Sequence, residues 1–291
     1  MSSPTAPIVI GYDGSPGSVS ALHWAAAAAD RAMAPLRILE AFELVIITRP
    51  TPGHVVPLEA VRNARQKSLD EVAQSLRDQY PGLRVETSLV GGSAPKVLFD
   101  GTQDARLVVL GSRGLGGWSG LLVGSVAVQV TTHAECPVVV VPRDGEPQPH
   151  DGQTVLVGVD GSEASAKAIE FAFDQAESRH AQVVALHVWT SPFLTYADGA
   201  SMLQFDEKQI QDEARLLVAE SVSGAAADHP DVKWTTELVT GSAAQALVRR
   251  SESADLLVVG TRGRGGFTGL LLGSVSQSVL HHTHCPIAIA R

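Results

Sequence analysis

Gly111, Gly114, Gly124 and Ser125 follow the pattern Gly-x2-Gly-x9-Gly-Ser, and Gly260, Gly263, Gly273 and Ser274 repeat it. Each set begins where an apolar run stops, at Leu107–Gly111 and Leu256–Gly260, and ends where a helix should start. Glycine lets backbone come close to a ligand and turn its N–H groups towards it. A helix start adds unpaired amide donors and the positive end of the helix dipole. The chemistry suited to that pair of features is the holding of phosphate. Ser125 and Ser274 add hydroxyls that either reach a phosphate or cap the helix. Arg113 and Arg262 either supply charged hydrogen bonds to phosphate or stand in solvent. Asp13 and Asp160 open an Asp-Gly-Ser turn after the first strand of each half. A carboxylate is a poor phosphate partner but a good acceptor for sugar hydroxyls or an amine. Both aspartates therefore belong at the sugar–base end of a nucleotide, or else cap the helix that follows.

The residues also exclude chemistries. A Gly-x4-Gly-Lys-Ser/Thr loop, a Gly-x-Ser-x-Gly elbow and a dinucleotide fingerprint after the first strand are all missing. No general base accompanies the glycine loops, so no residue is assigned a catalytic role, and slow nucleotide hydrolysis stands as the alternative. His281, His282, His284 and Cys285 form a dense run, but the first half offers only His133 and Cys136 at matching places. Cys285 also opens an apolar strand, so no metal site is assigned. A net charge of −9 argues against a nucleic-acid surface, which needs a basic face. No apolar run is long enough to span a membrane, and no signal peptide opens the chain. Two cysteines at equivalent places read as buried thiols of a reducing, cytoplasmic compartment.

These residues need a scaffold, and the chain supplies it twice. Between 105–126 and 254–275, 14 of 22 positions are identical, which makes internal duplication the strongest organisational signal. In the first copy, β-rich runs at Pro7–Tyr12, Leu36–Phe42, Leu83–Val90, Leu107–Leu110 and Pro137–Val141 alternate with helical segments. Those segments are Gly17–Met33 (closed by Pro35), Leu58–Gln79, a short one ending near Gln103, and Gly124–His133. In the second copy the strands are Thr154–Val159, Val183–Trp189, Val232–Val239, Leu256–Gly260 and Ile287–Ala290. Its helices include Ser201–Ala227, Ser242–Glu252 and Gly273–His282. The alternation predicts an α/β fold with parallel sheets covered on both faces. Residues 1–143 form one domain and 154–291 the other, with 144–153 a linker rich in Pro, Gly and charge.

The complete glycine pattern, the Asp at the end of each first strand and the closing Cys-Pro strand resemble the universal stress proteins. The resemblance covers almost the whole chain as two tandem copies. It implies a Rossmann-like (adenine nucleotide α-hydrolase-like) domain with a five-stranded parallel sheet, and ATP, with Mg, as ligand. It implies that Asp13 and the backbone at Ala41 face adenosine in the first domain. Gly111, Arg113, Gly114, Gly124, Ser125 and Val126 would line ribose and phosphates. In the second domain Asp160 and Val188 take the first role, and Gly260, Arg262, Gly263, Gly273, Ser274 and Val275 take the second. A regulatory, stress-response role with one nucleotide per domain follows from it. The rival is an interaction scaffold that needs no nucleotide.

Three differences between the halves carry expectations. Leu115 stands where the second half has Arg264, so the second site should hold phosphate more strongly. Glu40-Ala41 stands where it has His187-Val188, placing an acid beside the first adenine wall. Trp118 and Phe267 either cover a base or serve packing. The apolar fifth strands, PVVVV and PIAIA, invite edge pairing of the two halves with each other in an intramolecular pseudo-two-fold, which resembles how the family dimerises. The partners expected are adenine nucleotide, a second copy of the chain and a regulatory protein.

Overall fold

The computed structural model describes residues 6–43, 58–115, 123–142, 153–189, 207–264 and 271–291. It divides into two compact units, 1–143 and 144–291. The expected linker lies outside the described residues except for Gln153, as do Trp118 and Phe267.

In the first unit the elements run β1 (Ile8–Gly11), α1 (Pro16–Arg31), β2 (Leu36–Phe42), α2 (Leu58–Gln79) and β3 (Val85–Gly91). Then come α3 (Ala94–Asp100), β4 (Leu107–Gly111), α4 (Ser125–His133) and β5 (Val138–Val141). The sheet is parallel in the order β3-β2-β1-β4-β5. Ile8, Val9 and Ile10 sit between Leu36–Ile38 and Leu107–Val109. All three are at most 2% exposed, because helices cover both faces and a continuous apolar run is what such a strand requires. β3, at the outer end of the order, is only half-buried along most of its length, which accounts for its polar alternation.

Helix α1 forms because Ser15 caps it, its Oγ accepting the Ser18 amide at 3.2 Å, and Pro16 is pre-set for the first turn. Ala21, Leu22, Ala25, Ala26, Ala28 and Ala29 make its buried face, small enough to bring the helix close to the sheet. It stops at Arg31, ahead of Pro35. Met33 takes a left-handed φ of 48°, and the Ala34 amide returns to the Ala29 carbonyl, so the chain turns before the proline acts. Helix α3 likewise ends at Asp100, with Gly101 as its cap, short of Gln103.

The second unit repeats the plan: β6 (Thr154–Gly158), α5 (Glu163–Arg179), β7 (Gln182–Trp189), α6 (Glu207–Asp228) and β8 (Trp234–Thr240). It closes with α7 (Ala243–Ser251), β9 (Leu256–Gly260), α8 (Ser274–His282) and β10 (Ile287–Ala290). The order is β8-β7-β6-β9-β10, again parallel. The expected start of its long helix at Ser201 falls outside the described residues, which take up that helix at Glu207. In each unit consecutive strands build outwards from the first strand and then the chain crosses to its other side. That reversal lies between β1 and β4, and between β6 and β9, and it leaves a crevice at the carboxyl ends of the strands.

Candidate functional site

Each crevice is a cavity, about 480 Å3 in the first unit and about 550 Å3 in the second. Small-molecule pockets fall at roughly 300–1,000 Å3. Asp13, Ala41, Gly111, Arg113, Gly114, Gly124, Ser125 and Val126 all line the first cavity. Asp160, Val188, Gly260, Arg262, Gly263, Gly273, Ser274 and Val275 all line the second. The fold thus brings together the eight nucleotide-site positions expected in each half, with Leu115 and Arg264 beside them. It adds Tyr12, Ser18, Leu39 and Leu98 in the first, and Val159, Ser165, Leu186 and Leu247 in the second. Leu98 and Leu247 come from the short helices α3 and α7. Both are buried apolar residues, and no local sequence signal separates a cavity wall from a core contact.

The helices at the two ends of the crevice are finished differently. Ser15 caps α1, and Ser162 caps α5 by accepting the Ser165 amide at 3.2 Å. The caps of α4 and α8 are Gly124 and Gly273, and neither has a side-chain cap hydrogen bond. The first residues of those two helices, Ser125-Val126 and Ser274-Val275, line the cavities. Open N-terminal donors beside a positive dipole end form an anion seat. No hydroxyl competes for them: the Ser276 Oγ of α8 donates away, to the Gly260 carbonyl at 2.7 Å.

The aspartates do more than was expected of them. Asp13 Oδ1 accepts the Ser15 amide at 3.0 Å, and Oδ2 accepts the Leu115 amide at 3.0 Å. In the second unit Asp160 Oδ1 accepts the Ser162 amide at 3.0 Å and the Ser162 hydroxyl at 2.7 Å, while Oδ2 accepts the Arg264 amide at 3.0 Å. Each carboxylate therefore ties the glycine loop to the turn after the first strand. Helix capping falls to Ser15 and Ser162. Burial pushes the Asp13 carboxyl up, but hydrogen bonds from Ser15, Leu115 and Ser18 outweigh it and hold the group below its ordinary value. An ionised carboxylate has about four lone-pair sites, so acceptor capacity towards the cavity remains.

Two glycines of the pattern answer to the fold itself. A Cβ on Gly111 would lie 2.6 Å from the Gly17 carbonyl, and one on Gly260 would lie 2.5 Å from the Ala164 carbonyl. The first turn of α1, or of α5, crosses the strand end there. Gly114 and Gly263 leave room for the Asp13 and Asp160 carboxylates. Gly124 is different, since a Cβ there would meet nothing nearer than the Ser112 carbonyl at 3.6 Å.

Glu40 is not an acid of the adenine wall. Strand alternation turns Leu39 and Ala41 towards the cavity and Glu40 to the opposite face, where it is buried and ion-paired with Arg65 of α2. Arg65 in turn lies 5.6 Å from the centre of the Phe42 ring. The counterpart His187 donates from Nδ1 to the Val159 carbonyl at 2.7 Å. In the C-terminal run, His282 bonds the Ser278 carbonyl and His284 approaches Glu252 at 3.7 Å. Burial pushes the Cys285 thiol up to about 12, a poor state for a metal ligand. Among the described residues no three His, Cys, Asp or Glu side chains converge as a metal site.

Fold and crevice together define a tandem pair of doubly wound α/β domains, each with an anion-seating cleft at its switch point. A family model described as the universal stress protein family matches residues 5–142 and again 152–291. The chain is 38% identical over 291 residues to a universal stress protein of Mycobacterium tuberculosis, covering 98% of this chain and 96% of that one. It is 34% identical over 289 residues to a universal stress protein of Mycolicibacterium smegmatis, with the same coverage. A solved universal stress protein structure from Archaeoglobus fulgidus superposes with a TM-score of 0.69 at 21% identity, covering 98% of both chains. The protein belongs to the universal stress protein family. No helix among the described residues is long and apolar enough to cross a membrane.

Proposed function

We propose that this chain binds ATP, one molecule per domain, and serves a regulatory, stress-response role in the cytoplasm. The observation that carries the reading is the start of α4 and α8 at a glycine in a glycine-lined cavity, without a side-chain cap, whereas α1 and α5 across the crevice are closed by Ser15 and Ser162. The triphosphate sits at Gly124-Ser125-Val126 and at Gly273-Ser274-Val275, with Arg113 and Arg262 beside it. Adenosine lies towards Asp13 and Ala41, and towards Asp160 and Val188. Magnesium would come with the nucleotide as its phosphate complex. Homodimers and a regulatory protein partner complete the reading.

Among the described residues the cavity carboxylates are taken up by backbone amides, and in this reading the protein holds ATP without dedicated catalysis. Mass spectrometry of the small molecule that co-purifies, with its stoichiometry, tests the proposal. Two adenine nucleotides per chain are expected. Nucleotide-free protein that gives no calorimetric signal with ATP would establish the scaffold reading instead. Steady-state phosphate release lost on Gly124→Ala would establish the ATPase reading.

A further inference from the structure

We infer that the two clefts sort adenine nucleotides by phosphate number, with Arg264 as the residue that sets the difference. The second cleft prefers the triphosphate to the monophosphate, and the first discriminates weakly. The inference rests on the adenine-nucleotide reading above.

The charged lining differs. The first cavity has one arginine, Arg113, against one aspartate, Asp13. The second has two, Arg262 and Arg264, against Asp160 alone. Arg264 is also placed. Its amide is held by Asp160 Oδ2 at 3.0 Å, and its guanidinium lies across Gly161, where any Cβ would overlap it. Gly161 has a φ of +75°, so that turn excludes a side chain both by conformation and by space. At the counterpart, Gly14, the same space is open, and Leu115 stands 71% exposed on the rim.

The guanidinium charge is not spent inside the protein. Among the described residues no carboxylate pairs with Arg264. Glu163, the acid in the neighbouring first turn of α5, pairs with Lys167 at 3.6 Å. The other exchanges add no charge: Tyr12 against Val159, Ala41 against Val188, Leu110 against Val259 and Ala127 against Ser276. Burial, then Glu40 and Asp13, push the Tyr12 phenol up, so it stays a neutral hydroxyl. A guanidinium lining the same cavity as the α8 start gains with each added phosphate charge, whereas a leucine is indifferent to them.

Calorimetric titration of the full chain with ATP and with AMP tests this. Ser125→Asp isolates the second cleft and Ser274→Asp the first. The ratio of AMP to ATP dissociation constants should be at least about tenfold larger in the second cleft. Arg264→Leu should weaken ATP about tenfold with little change in AMP, and Leu115→Arg should raise the ratio in the first cleft. Equal ratios in the two clefts, or equal weakening of ATP and AMP by Arg264→Leu, overturn the inference while leaving nucleotide binding intact. Absence of heat with both ligands in the unaltered protein removes the underlying reading as well.

Discussion

The carboxylate of Asp13 accepts the backbone amide of Leu115 at 3.0 Å, across 102 residues of chain, and Asp160 accepts that of Arg264 at 3.0 Å across 104. In each domain one aspartate closes the glycine loop onto the end of the first strand. The loop that would hold phosphate is thus held from behind by a group of the same sign.

Replacing Asp13 with asparagine exchanges one acceptor oxygen for a donor, so one of the two amides at Ser15 and Leu115 loses its partner. A loss of about 1–3 kcal/mol in chemical denaturation is expected. Because the Asp13 carboxyl titrates lower in the folded chain than its ordinary value of 3.8, its contribution is complete above that value. It is lost as pH falls through the folded value. The gap between native and Asp13→Asn proteins should therefore be constant near neutrality and close below about pH 4. A gap that widens on acidification would contradict the clamp.

Gly111→Ala and Gly124→Ala separate glycines kept for the fold from glycines kept for the cleft. The first drives a methyl into the Gly17 carbonyl of α1 and should cost about 1–3 kcal/mol. The second meets only ordinary van der Waals contacts, the nearest at 3.6 Å, and should cost about 1 kcal/mol or less. Melting of the two variants side by side decides it, and equal losses would refute the distinction.

Ser125→Asp places a carboxylate at the uncapped start of α4. An acid at a helix N-terminus stabilises by about 0.3–1 kcal/mol. The same acid occupies the anion seat, so stoichiometric titration with ATP should fall by one nucleotide per chain while thermal stability holds or rises. Unchanged stoichiometry would move the phosphates elsewhere.

Cys285 is buried, and its thiol is pushed up to about 12 by desolvation. A raised folded value means its stabilising contribution is full below the ordinary value of 9.0 and is lost as pH climbs towards about 12. The native protein should resist thiol-specific alkylation at Cys285 at pH 8, with reaction appearing only on unfolding. The stability difference between the native protein and Cys285→Ala should shrink above pH 9. Rapid labelling in the folded state would refute the burial.

Much of this architecture is legible in the chain. Strand–helix alternation, the duplication and the glycine spacing are local patterns, and each survives in the fold because local chemistry causes it. Ser15 caps α1 since its hydroxyl is three residues from the amide it satisfies. Apolar runs such as Leu107–Leu110 become central strands because both faces are covered. The eight site positions of each half converge, since all lie at strand ends or helix starts on one edge of the sheet.

What spacing alone could not decide was why a residue type is needed. Gly111 reads as a ligand glycine until α1 is seen to cross it. Glu40 reads as a cleft acid until pleating turns it to Arg65. Asp13 shows its second task, tying down the glycine loop, only when the Leu115 amide is found at its other oxygen. Each answer depends on groups brought together from distant parts of the chain, and the cost of a Cβ or an unpaired amide arises only on close approach. Sequence determined where the clefts are and that there are two; tertiary packing decided which residues face each cleft and which hold its walls.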